Sequence, residues 1–72
     1  MTLYEKQAGD AIRIATAYAR ERRHDTAGRV IADAVTDLVA TRGTSKADNR
    51  DRDVQVARLA AAWDQLREAA GR

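Results

Sequence analysis

The chain has no cysteine, no proline and no phenylalanine, and its 72 residues include one histidine, one tryptophan and four glycines. Each scarcity removes a class of explanation. Without cysteine there is neither a disulfide framework nor a thiol nucleophile, and one imidazole is too few for the familiar zinc clusters. Without proline, and with little glycine, helices meet few breakers; β-branched alternation is missing as well. No run of 18 apolar residues occurs, and Met1-Thr2-Leu3-Tyr4-Glu5-Lys6 lacks a basic region followed by an apolar stretch. A soluble, cytoplasmic chain with no membrane segment is therefore the expectation. Thirteen basic against eleven acidic residues leave a net charge of +2, so only a local concentration of one sign can steer a partner.

What the chain does have is alanine. Sixteen of its hydrophobic residues are alanine, and beyond Met1 only 15 larger apolar side chains remain. Residues 1–72 form one domain at most, near the size at which a single core barely suffices, so homodimerisation is the expected completion of that core.

Helical periodicity organises the chain. From Leu3 to about Arg22, residues placed 100° apart gather Leu3, Tyr4, Ala8, Ala11, Ile12, Ile14, Ala15, Tyr18 and Ala19 on one half of a cylinder. The seam Tyr4, Ala8, Ala11, Ala15, Tyr18 steps by 4 and 3, the spacing of helices packed at a shallow angle. A turn is expected near residues 22–25, with Asp25 or Thr26 capping the next helix. In that helix Ala27, Val30, Ile31, Ala34, Val35, Leu38 and Val39 share a face, and Gly43 offers a left-handed C-terminal cap. Residues 43–53 hold a single alanine among polar residues, so they read as a charged connection or as the solvated start of a third helix. Ser45-x-x-Asp48 resembles a capping box, and Asp48 stands in favourable i,i+4 order before Arg52. Val56, Leu59, Trp63, Leu66 and Ala70 then step by 3 and 4 along a narrow stripe. The expected fold is all-α: a small three-helix bundle, an antiparallel helix pair with a third helix laid across it, completed by a second copy. Tyr4, Tyr18, Leu38, Val56, Leu59, Trp63 and Leu66 are its core or self-association residues.

Chemistry-bearing constellations are scarce. Asp33 and Asp37 lie four apart, but two surface carboxylates are too few for a divalent cation, and solvation beside Arg29 is the simpler reading. Asp48, Asp51 and Asp53 mimic a calcium loop only superficially, since Leu59 occupies the twelfth position where glutamate belongs. His24 beside Asp25 does not make a hydrolytic relay, because sequence neighbours on a helix do not face one another and Ser45 is the only serine. Phosphate-binding glycine loops are absent. No catalytic residue, metal ligand, cofactor or small-molecule substrate is expected.

The informative surface is the back of the first helix. Lys6, Arg13 and Arg20 recur every seven residues, sharing a sector with Gly9, Thr16 and Arg23; Glu5 and Asp10 stand at its margins. Arg22, His24 and Arg29 extend the stripe around the turn. A solvated basic face is its plainest meaning. As a binding surface, its candidate contacts are Lys6, Arg13, Arg20, Arg22, Arg23 and Arg29, directed at an acidic protein or at nucleic-acid phosphates. Helix-turn-helix base reading is not expected, because the exposed face of the second helix carries Asp33 and Asp37. Weak alanine-rich amphipathicity argues against membrane insertion. The expectation is thus a non-enzymatic helical adaptor, inhibitor or assembly factor that self-associates and binds a protein partner, with a nucleic-acid-binding regulator as the alternative.

Overall fold

Thr2 starts the first helix, its Oγ1 accepting the Glu5 N–H at 3.1 Å, one of the donors that helix geometry leaves without a partner. This and the rest of the fold come from a computed structural model that describes residues 2–41 and 45–71. The three helices are α1 (Leu3–Arg20), α2 (His24–Ala40) and α3 (Lys46–Ala70), and each packs against the other two. There is no strand among the described residues. At about 1.5 Å per residue, the 25-residue α3 accounts for most of the 41 Å long axis.

The alanine seam does what its spacing implies. Ala8, Ala11 and Ala15 are buried on α1, Ala27, Ile31 and Leu38 on α2, and Leu59 on α3. Tyr4, Tyr18, Val56, Trp63 and Leu66 pack around them half-buried. Small side chains let the helix axes approach closely, so a few large residues suffice to fill the centre. The broad face expected of α1 is narrower in fact: Leu3 is 66% and Ile14 44% exposed, because only one edge of the half-cylinder meets a neighbour. Val39 and Ala70, placed on apolar stripes by periodicity, are exposed too.

The turn between α1 and α2 departs from expectation. Arg22 N–H donates to Ala19 O at 3.0 Å and Arg23 N–H to Tyr18 O at 2.9 Å, the paired bonds of a Schellman ending. That ending requires a left-handed residue, and Arg22 supplies it at φ 65°. The chain therefore re-enters helix at His24, so Asp25 and Thr26 lie inside the first turn of α2 rather than capping it. The residue in the cap position is Arg23, whose side chain makes no capping bond. Its guanidinium sits 4.9 Å above the Tyr18 ring, occupying the place where Schellman endings usually carry an apolar contact.

At the other connection, α2 ends on Thr41, whose carbonyl accepts Arg52 Nη1 of α3 at 3.1 Å. The last turn of α2 contains no basic residue of its own, so Arg52 brings the positive charge favoured at a helix C-terminus. Gly43, the expected cap, lies outside the described residues. Ser45 caps α3 as its sequence suggests, Oγ accepting Asp48 N–H at 3.2 Å.

Candidate interaction surface between the first and third helices

A polar chain pins the start of α1 to α3. Thr2 Oγ1 donates to Asp51 Oδ2 at 2.6 Å, Gln55 Nε2 donates to Asp51 Oδ1 at 3.3 Å, and Arg58 Nη1 donates to Gln55 Oε1 at 3.4 Å. Gln55 is only 6% exposed yet has both ends of its amide bonded, which is what allows a polar group to be buried at little cost. Asp51 also places a negative charge near the positive end of α1. The result is that Arg58 is delivered to α1, its Nη2 3.9 Å from the position a Gly9 Cβ would occupy.

This contact fixes the direction in which the basic stripe faces. Gly9 and Thr16 are the half-buried edge of α1 beside α3, and Lys6, Arg13 and Arg20 project from the rim just outside them. Successive members drift only about 20° around the helix per seven residues, so Lys6 and Arg13 line a recess at one end of the α1–α3 edge and Arg20 lines one at the other. Lys6, Arg13 and Arg58 surround Gly9 in a polar cavity with Glu5 and Asp10. Arg58 was not legible as a member, since nothing in its own helix's periodicity relates it to α1.

Toward the other end, Arg20, Arg22 and His24 surround a recess of about 250 Å³ floored by Ala19, Leu66 and Ala69. That volume is smaller than typical small-molecule sites, which run from about 300 to 1,000 Å³; a single side chain of a larger partner suits it better. Thr16 stands at its edge with its hydroxyl bonded back to Ile12 O at 2.7 Å.

The stripe is not uniformly unpaired. Arg13 Nη2 lies 3.1 Å from Asp10 Oδ1, with the two side chains 77% and 44% exposed. Exposed helix pairs of this kind contribute about 0.2–0.5 kcal/mol, too little to hold Arg13 against a competing carboxylate or phosphate. Lys6, Arg20 and Arg22 have no carboxylate partner among the described residues. Arg23 is drawn to Tyr18. Arg29 stands apart, exposed on α2 at a position 180° from buried Leu38, so the fold does not bring it to the groove.

Leu38 and Leu59 are fully buried and belong to the core, whereas Tyr4, Tyr18, Val56, Trp63 and Leu66 keep part of their surface accessible. Trp63 lies against α2 at Gly28 rather than open to a stacking ligand. Among the described residues no group of three or more His, Asp or Glu is placed to hold a metal ion. Among the described residues no helix is long and apolar enough to cross a membrane. No family model, curated protein or solved structure matches this chain.

Proposed function

We propose that this chain is a non-enzymatic helical interaction protein that binds an acidic surface of a protein partner along the α1–α3 edge and works as a self-associated pair. The observation that supports the binding reading is the recess that carries Arg20 and Arg22, without carboxylate partners among the described residues, above Ala19, Leu66 and Ala69. Cations alone suit phosphates and carboxylates equally. An apolar floor inside them is complementary to an apolar protein side chain and not to a phosphate. Self-association is supported by large apolar side chains left in solvent, especially Leu3 and Ile14, which lie within about 20° of each other on α1.

Charge reversal tests the binding surface. Capture of partners by the wild-type chain at low salt is expected to survive nuclease treatment and to be lost in the Arg13→Glu/Arg20→Glu variant. Retention that depends on nucleic acid, with affinity falling steeply as salt rises, would support the phosphate-binding alternative instead. Sedimentation over a range of concentrations tests the pair: a folded monomer persisting well above micromolar concentration would remove that half of the reading.

A further inference from the structure

Small residues keep the α1–α3 groove low toward its far end, Thr16 and Ala19 from one side and Ala69 from the other, whereas at the near end the Arg58 guanidinium lies over Gly9. A groove between two packed helices with such a floor can admit a third helical axis at the usual 8–10 Å spacing. The rim adds a register. Lys6, Arg13 and Arg20 repeat every seven residues, about 10.5 Å per step, which is the repeat of equivalent positions along another helix lying nearly parallel or antiparallel to α1. At the far end the strained Arg22 adds a fourth cation above the apolar recess. Glycine is the usual occupant of that backbone position, so what arginine adds there is its side chain, exposed and without a carboxylate partner among the described residues.

We propose that the α1–α3 groove receives an acidic amphipathic helix of a partner protein. One apolar side chain of that helix sits on Ala19, Leu66 and Ala69, its carboxylates meet Arg13 and Arg20 at seven-residue intervals, and Arg22 closes over its end. Charge complementarity selects this occupant: Lys6, Arg13 and Arg20 put cations on the rim at helix spacing, with Asp10 beside Arg13, and the floor of the far-end recess is apolar. A second copy fits less well, because the carboxylates on its α2, Asp33 and Asp37, are four residues apart with Arg29 on the same outward face. This inference rests on reading the edge as a protein-binding surface and adds the form of the bound element.

The test uses the full chain and three probes: a three-heptad helical peptide with Leu and Glu at seven-residue repeats, the same peptide with each Leu replaced by Gln, and a single-stranded DNA. The Leu/Glu peptide is expected to bind at low salt, and its affinity to fall at least about tenfold in Arg22→Gly and in Ala69→Glu. Both variants alter exposed residues, and thermal melting verifies that they fold. Arg29→Glu is expected to bind like wild type. No binding of the Leu/Glu peptide, or binding indifferent to both variants, overturns the inference. Equal binding of the Gln peptide overturns helix docking while leaving an acid-binding protein surface in place. Tighter, Arg20-dependent binding of the DNA overturns both readings.

Discussion

Gly28 and Trp63 are fitted to each other: a Cβ on Gly28 would stand 2.6 Å from Cη2 of the indole and 3.0 Å from Cζ3. Glycine within a helix is unfavourable by about 1 kcal/mol relative to alanine. It lies here because the large ring of α3 rests on the backbone of α2, and no side chain fits between them.

Gly28→Ala should therefore destabilise the fold in spite of its better helix propensity. Overpacking of this kind costs about 1–3 kcal/mol, more than the propensity gain at the upper end, and the half-exposed indole is expected to swing outward. Thermal melting and tryptophan emission report both effects, as a lower midpoint and a red shift. In a Trp63→Leu background the same change should become stabilising; a penalty that persists there would show that the indole is not its source.

Arg22→Gly is expected to stabilise. A left-handed conformation costs a side-chain-bearing residue about 1–2 kcal/mol, whereas the freedom glycine adds to the unfolded chain costs about 0.4–1 kcal/mol. The difference leaves a gain of about 0.5–1 kcal/mol, readable as a higher denaturant midpoint with an unchanged slope. Arg22→Val should move the midpoint the opposite way, since a β-branched residue tolerates positive φ least. Equal midpoints for all three proteins would contradict the turn geometry.

Leu38 and Leu59 are fully buried, while Leu3 is 66% exposed. Leu59→Ala or Leu38→Ala should each cost about 2–5 kcal/mol, a large part of the total stability of a chain this small, roughly 4–11 kcal/mol. Leu3→Ser should stay within about 0.5 kcal/mol in dilute solution. Melting curves of the three variants decide the matter, and comparable losses at Leu3 and Leu59 would mean that α1 presents a different face to the core.

Thr2 both caps α1 and donates to Asp51. Thr2→Ala should lose about 1 kcal/mol from the cap and release the Asp51–Gln55–Arg58 chain, whereas Thr2→Ser should preserve both bonds. Amide exchange at the start of α1 and around Gln55 is the measurement. Faster exchange confined to α1 would separate the cap from the network.

The division between sequence and fold is clear at particular residues. Periodicity alone places Ala8, Ala11, Ala15, Ile31, Leu38 and Leu59 on the buried seams, because helical geometry and the hydrophobic effect act on spacing and composition, both of which are written along the chain. The Ser45 cap is legible for the same reason, being a bond between residues three apart. Whether an apolar residue at the margin of a face is covered depends on where the neighbouring helices lie, so Leu3 and Ile14 look internal on a wheel and are exposed in the bundle. The same holds for the partnership of Gly28 with Trp63, the burial of Gln55 and the arrival of Arg58 beside Gly9. Gly28 and Trp63, like Gly9 and Arg58, are tens of positions apart, and Gln55 is covered only where another helix packs over it, so packing rather than periodicity decides all three. Lys6, Arg13 and Arg20 form a stripe by their spacing; only the docking of α3 makes that stripe the rim of a groove and leaves Arg29 outside it.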